Sequence, residues 1–337
     1  MRFEQTLIVS TIAIVTVMGA CSGPLPEMPA VPVSAEQTVP PGVIAFIGAD
    51  KQLWLMHPDG HNQQRLTTDG EAMSPAWSPD GQTLAYVYHE EGSKVQQAHL
   101  YNPLNRTDSL ITVVSDPMLV LVNWSPNNRY LALDVGCCFE RRLNIVEISG
   151  GQIVDELNVF NYAWSPNGDR LVFGLRTPLE APISVEPGDS VSLAVIQVGQ
   201  GQQPQVVFEG THQALYFPLA WLHDGRVLYD QLDWDESTQT GDRALWTVTF
   251  NGERSEPKPA KNIPPAYNRD AVLARLPTEM QKPGTGSFSW STDGRWVVFH
   301  AGEEAEKGIY LFNWEEGGQP RRLADGADPS WQPVPVE

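Results

Sequence analysis

Apolar and polar positions along this chain come in short runs instead of at helical spacing. From residue 43 onward the runs include Val43-Ile44-Ala45-Phe46, Leu53-Trp54-Leu55-Met56, Thr83-Leu84-Ala85-Tyr86-Val87, Tyr130-Leu131-Ala132-Leu133, Leu143-Asn144-Ile145-Val146, Trp296-Val297-Val298-Phe299 and Ile309-Tyr310-Leu311-Phe312. Clusters of Pro, Gly, Asp and Asn bound them, which is the pattern of β-strands joined by tight turns. One stretch departs from this. Between Arg269 and Met280, the residues Val272, Leu273, Leu276 and Met280 stand at the spacing of one helix face and predict a short helix.

A marker punctuates the runs. Trp77-Ser78-Pro79-Asp80-Gly81 returns as Trp124-Ser125-Pro126-Asn127-Asn128, Trp164-Ser165-Pro166-Asn167-Gly168, Trp221-Leu222-His223-Asp224-Gly225 and Trp290-Ser291-Thr292-Asp293-Gly294, with a truncated Ser330-Trp331-Gln332-Pro333 at the end. Its chemistry is that of a hairpin corner. Proline fixes φ at the first central position, Asp or Asn tolerates the next, and Gly accepts the positive φ that turns the chain back. Pro75-Ala76-Trp77 then reads as a first strand, Thr83 to Val87 as a second, Ala98 to Tyr101 as a third and Leu110 to Val113 as a fourth. The same grammar fits Trp124 through Ile153–Leu157 and Trp290 through Arg321–Leu323. Each unit is a four-stranded meander. The shorter intervals between marker tryptophans suit propeller blades of about 40–50 residues, and the longer ones ending at Trp221 and Trp290 require insertions.

The two ends complement each other. Residues 43–70 offer three strands with no tryptophan strand before them, and Ser330-Trp331-Gln332-Pro333 offers a tryptophan strand with nothing after it. Joining them predicts an all-β, six-bladed β-propeller closed by pairing of the C-terminal strand with the N-terminal strands, leaving no unpaired edge between the ends. A seventh blade within residues 233–287 is the alternative count. The marker, the Leu84-Ala85-Tyr86 strand after it, and Leu53-Trp54-Leu55-Met56-His57-Pro58-Asp59-Gly60 before Arg65-Leu66-Thr67 resemble the TolB-type propeller repeat over residues 43–333. The resemblance implies the propeller fold. It occurs in periplasmic scaffolds that bind other envelope proteins and in propeller domains attached to peptidases, so it implies fold more than function.

The N-terminus reads as an address. Thr6–Ala20 is apolar, short for a bilayer span and suited to the core of an export signal. Its end, Met18-Gly19-Ala20-Cys21, resembles the lipobox of bacterial lipoproteins, which implies cleavage after residue 20 and lipidation of Cys21; a plain signal peptide or an uncleaved anchor is the alternative. Pro24, Pro26, Pro29, Pro32, Pro40 and Pro41 make residues 21–42 an extended tether. The expected organisation is therefore signal peptide 1–20, tether 21–42 and propeller 43–337, in the cell envelope, exported and held to a membrane through the lipid anchor only.

Charge narrows the partners. Lys+Arg 22 against Asp+Glu 41 gives a net charge of -19, which opposes nucleic acid and anionic lipid. No G-x-S-x-G, H-E-x-x-H or phosphate-cradling loop occurs, so no catalytic residue, cofactor or metal is expected; Asp233, Asp235 and Asp242 lack the glycine and closing glutamate of a calcium loop. In a meander, the second-to-third and unit-to-unit connections share one edge of the propeller. The long connections Thr177–Ser190, Asp233–Asp242 and Ser255–Gly286 fall there, and long loops on a rigid scaffold are where binding residues concentrate. The candidate binding face is Phe139, Arg141, Arg142, Tyr216, Phe217, Trp234, Asp235, Tyr267 and Arg269. Cys137 and Cys138 share that edge and are expected, in an oxidising compartment, to be open to a vicinal disulfide. The functional expectation is a monomeric, non-enzymatic envelope lipoprotein binding a protein or glycan partner; the alternative is a hydrolase or lyase with a metal in the central channel.

Overall fold

The short apolar runs become strands because both faces of each sheet are covered. On one strand Leu131, Leu133 and Val135 pack with Ala85 and Val87 on one side, while Tyr130 and Ala132 pack with Leu171 and Phe173 on the other. Double burial explains why the runs are continuous instead of alternating. The computed structural model describes residues 41–334 apart from 115–118, 137–141, 178–189, 212, 236, 239, 250–256, 262, 283 and 304–306. The expected signal peptide and tether up to residue 40, with Cys21, lie outside the described residues, as do Cys137, Cys138, Phe139 and Arg141.

The chain lays down β1 (Ile44–Gly48), β2 (Leu53–Met56) and β3 (Gln64–Arg65), then a meander of β4 (Glu71–Trp77), β5 (Leu84–His89), β6 (Gln96–Asn102) and β7 (Thr107–Val114). Next come β8 (Leu119–Trp124), β9 (Tyr130–Val135), β10 (Arg142–Glu147), β11 (Gln152–Trp164), β12 (Arg170–Thr177), β13 (Ser190–Gln197) and β14 (Gln205–Phe208). A further meander is β15 (Ala214–Trp221), β16 (Arg226–Asp235), β17 (Thr240–Thr249) and β18 (Lys258–Pro259), and the last strands are β19 (Gly286–Trp290), β20 (Trp296–Ala301), β21 (Gly308–Asn313) and β22 (Arg321–Trp331). Neighbours pair antiparallel, and the described residues fall within one compact unit, Val39–Glu337.

Two strands each serve two meanders. β11 pairs with β10 from Glu147↔Gln152 to Arg142↔Asn158, then with β12 from Val159↔Leu175 to Trp164↔Leu171. Neither Pro nor Gly interrupts residues 153–164, so the expected fourth strand and the following tryptophan strand run on as one. β22 likewise pairs with β21 from Leu311↔Arg321 to Gly308↔Asp325, then with β1 from Gly48↔Gly326 to Ile44↔Trp331.

The tryptophan strands share a bulge. Register shifts fall between Met73 and Ala76, Pro218 and Ala220, and Gly286 and Ser289, and β22 shifts opposite Ala45 and Ile47. Ser74, Ser287 and Asp328 take positive φ there, between 48° and 50°. Pro75, Pro218 and Pro329 sit at these shifts, where the ladder needs no N–H.

The helix is shorter than its apolar spacing predicts. Helix α1 spans Arg269–Arg275, capped by the Asn268 side chain accepting from the Ala271 N–H, and Pro277 separates it from a 3₁₀ turn at Thr278–Met280. Proline lacks the donor needed to continue the helix. Val272 and Leu276 are buried, and Leu276 packs with Val297, Phe299 and Phe312 on the β20–β21 sheet. Val272 and Leu276 therefore belong to the core instead of to a free loop.

Candidate functional site

Four repeat corners share one device. Ser78 Oγ accepts the Thr83 N–H at 2.9 Å and donates to Asp80 Oδ1 at 2.6 Å, while Asp80 accepts the Gln82 N–H at 3.0 Å. Ser125 repeats this with Tyr130 and Asn127, Ser165 with Arg170 and Asp169, and Ser291 with Trp296 and Asp293. All four serines are buried, and their hydroxyls are satisfied within the corner. Gly81 has φ +68° and stands so near the C-terminal strand that a Cβ would lie 2.1 Å from Pro333 O. Gln332 Nε2 donates to Gly81 O at 2.7 Å. The marker is thus committed to folding and, at Gly81, to a contact with Gln332 and Pro333.

The Trp221 corner is built differently. Leu222 replaces the serine, and its N–H reaches Arg226 O at 2.7 Å, one residue tighter than the Ser78–Thr83 bond. Asp224 compensates by accepting the Arg226 N–H at 3.1 Å and its guanidinium Nε at 2.8 Å. The Arg226 side chain holds the Asp224 carboxyl below the usual carboxylate range.

At the opposite edge the β16–β17 hairpin projects. Its rungs Trp234↔Gly241 and Asp235↔Thr240 lie beyond Ala214↔Asp233, where pairing with β15 ends. Gly241 makes room for the side chains of this projection, since a Cβ there would meet Leu232 Cδ1 at 2.6 Å and Trp234 Cε3 at 3.1 Å. Asp235 accepts the Ser237 N–H at 2.8 Å and its hydroxyl at 2.6 Å, which starts the turn. Those bonds hold the Asp235 carboxyl below its ordinary range.

Two histidines sit in polar networks. His99 Nδ1 lies 3.0 Å from Asp108 Oδ2, which also accepts the Tyr86 hydroxyl at 2.8 Å. Burial and this carboxylate push the Tyr86 phenol far up. His300 Nδ1 accepts the Asp328 N–H at 3.1 Å, and Asp328 Oδ1 accepts the Ser287 hydroxyl at 2.8 Å. Burial pulls the His300 imidazole below its ordinary value, opposed by the nearby Asp328 carboxylate. The serine bonds to the aspartate and not to the histidine, so this is no nucleophile–base pair. Among the described residues no group of three or more His, Cys, Asp or Glu side chains is arranged to hold a metal ion.

No protein-family model matches the chain. It is 33% identical over 136 residues to the Tol-Pal system protein TolB of Desulfosudis oleivorans, covering 37% of this chain and 29% of that protein. The match thus spans less than a third of that relative's length. Among solved structures, the β-propeller domain of the Trilobed protease from Pyrococcus furiosus aligns over 82% of this chain and 77% of its own, with a TM-score of 0.46 at 14% identity. TolB from Acinetobacter baumannii superposes over 87% of this chain and 67% of its own, with a TM-score of 0.50 at 16% identity. This chain has the β-propeller fold that TolB also has.

On the propeller, the expected binding residues do not form one cluster. Trp234 and Asp235 lie on the projecting hairpin, and Arg142 begins β10 at an exposed position. Tyr216 stacks on Phe208 at 5.4 Å and meets Tyr229 edge-on at 5.9 Å; Phe217, beside it on β15, pairs with Asp230. Arg269 Nη2 donates to Thr285 O at 2.7 Å and fastens α1 to the approach of β19. Tyr267 faces away from the hairpin, beside Leu222 and Arg226 at the altered corner. Asp233 accepts from Gln231 Nε2 at 2.8 Å and pairs across the hairpin with Asp242. That corner lies outside the expected binding residues apart from Tyr267, and Leu222 in place of serine is its signal in the sequence.

Proposed function

We propose that this chain is a non-enzymatic, lipid-anchored component of the cell envelope whose six-bladed propeller binds a protein or glycan through the edge bearing the β16–β17 hairpin. The observation that carries the reading is the hairpin itself, which holds the half-buried Trp234 just past the last rung with β15, its N–H anchored to Gln213 O at 2.9 Å. Rigid projection of Trp234 costs little ordering entropy on binding, and tryptophan is enriched at the centres of interfaces. The similarity to a protein named for the Tol-Pal system supports an assembly role over a solitary one. In this reading the second half of β22 supplies the innermost strand of the β1–β3 blade and closes the ring. The Ile44↔Trp331 rung and the Trp77 N–H to Ser330 Oγ bond at 3.2 Å support that closure.

Two experiments test it. Metabolic labelling with a fatty acid is expected to mark the wild type and to miss Cys21→Ser; an unlabelled wild type contradicts the anchor. Co-purification from detergent-solubilised envelopes is expected to yield a partner that Trp234→Ala loses while its melting temperature stays unchanged. Retention of the same partner by the variant removes the hairpin from the interface.

A further inference from the structure

The repeat tryptophans do more than mark corners. Trp124 Nε1 donates to Ala76 O of the preceding blade at 2.9 Å, Trp164 stacks on Tyr130 with centroids 6.2 Å apart and planes at 8°, and Trp221 has the Arg170 guanidinium 4.7 Å from its ring. Trp221 also shares a cluster with Val172 of β12 and Val195 of β13. Each indole is seated on the blade before it, and Trp164 and Trp221 lie over the residue that follows the corner.

After the β15–β18 blade this rule stops. The positions that match Arg170, Val172 and Val195 are Arg226, Leu228 and Thr247, since the rung Leu228↔Thr247 repeats Val172↔Val195. They line a cleft of about 280 Å³ whose other wall is Ile263, Pro264 and Tyr267 from the connection before α1. The tryptophan due to occupy such a seat, Trp290, instead meets Trp314 edge-on at 5.4 Å and packs beside Leu273 and Leu276. Arg275 of α1 stands 4.4 Å from the Trp314 ring and helps hold that arrangement. Leu222, the residue that replaces the corner serine, also lines the cleft. A hydroxyl turned into its own corner has been exchanged for an apolar side chain turned toward the opening.

Charge completes the site. Asp224 is bound to Arg226, with Nη2 to Oδ2 at 2.6 Å, so that pair is neutral and the guanidinium plane is held in place. Lys261 lines the same rim and has no ion-pair or hydrogen-bond partner among the described residues. It places a positive charge over an apolar floor in a chain of net charge -19. The geometry points to a binding site for an aromatic carboxylate: the ring occupies the seat that an indole fills in the preceding seam, against Leu228 and the Arg226 guanidinium, and the carboxylate pairs with Lys261. The volume lies just under the ~300 Å³ lower end of small-molecule pockets, so the ligand is a single ring system with its acid group. A free aromatic acid and the C-terminal aromatic residue of a peptide share this chemistry. The inference stands apart from the hairpin edge and does not depend on it.

Calorimetric titration with indole-3-acetate, indole-3-acetamide and a short peptide ending in tryptophan tests it on the folded protein. Saturable binding of the acid in the micromolar to low millimolar range is expected, with the amide and Lys261→Gln each weakening it about fivefold. Thr247→Trp, which fills the seat, is expected to abolish binding with a cooperative melting transition retained. Leu222→Ser provides a second, milder variant, expected to weaken binding in the same direction. A peptide that binds tighter than indole-3-acetate identifies a protein C-terminus as the natural source; equal or weaker peptide binding identifies a free acid. No saturation by any probe up to about 10 mM, equal affinity for acid and amide, or binding unchanged in folded Thr247→Trp overturns the assignment.

Discussion

At the residue scale, two corner glycines of one conformation separate backbone strain from contact. Gly81 and Gly294 have φ of +68° and +69°, yet a Cβ at Gly81 would strike Pro333 O while one at Gly294 meets nothing within 4 Å. Gly294→Ala is expected to cost about 1 kcal/mol, the left-handed penalty alone, and Gly81→Ala at least about 2 kcal/mol more because the C-terminal strand must shift. Chemical denaturation measures both, and equal losses would show that Gly81 does not abut that strand. Asp230 and Arg243 give a second contrast. Asp230 is buried with Oδ1 unpaired, burial raises its carboxyl, and Arg243 opposes that rise through an ion pair to Oδ2. Arg243→Gln strands a buried carboxylate and should cost about 1–3 kcal/mol, whereas Asp230→Asn removes the charge and should cost less. His300 makes stability depend on pH. Its folded-state value lies below the unfolded one, so the unfolded chain binds more protons in the window below about pH 6.5. Its contribution is present above that value and lost as pH falls, and His300→Gln should flatten that part of the stability–pH curve.

At the scale of elements, the strands were legible because their apolar runs are buried on both faces and bounded by turn residues. The corners were legible because Pro, Asp or Asn, and Gly answer to fixed turn positions. Asn128 shows the limit of the pattern, holding the glycine position at φ 59° in a conformation that Asn tolerates. The continuity of β11 was not visible, since nothing local distinguishes one long strand serving two sheets from two short ones. The role of the connection before β19 was hidden for a similar reason. Its prolines read as loop, and only the packing of Leu276, with Leu273 and Met280, against the β20–β21 sheet reveals an element of the core. Leu276→Ala should therefore destabilise the protein by about 2–5 kcal/mol, as truncation of a buried leucine does. A loss under about 0.5 kcal/mol in a urea melt, the range of surface substitutions, would return the segment to the surface.

At the scale of the whole molecule, the corners and the projecting hairpin lie at opposite edges and carry different burdens. One edge holds each of four corners with a buried serine and joins the Gly81 corner to Gln332; the other carries the half-buried Trp234 just past the last rung of β15. Truncation after Asp328 removes the Trp331 half of the β1–β22 pairing and should lower the melting temperature by about 10 °C or more. The central claim, that the envelope partner docks on the hairpin edge, is tested most directly by a photo-crosslinking amino acid placed in living cells at position 234 or at position 80. The account predicts a discrete partner adduct from position 234 and none from position 80. An adduct from position 80 alone would contradict it.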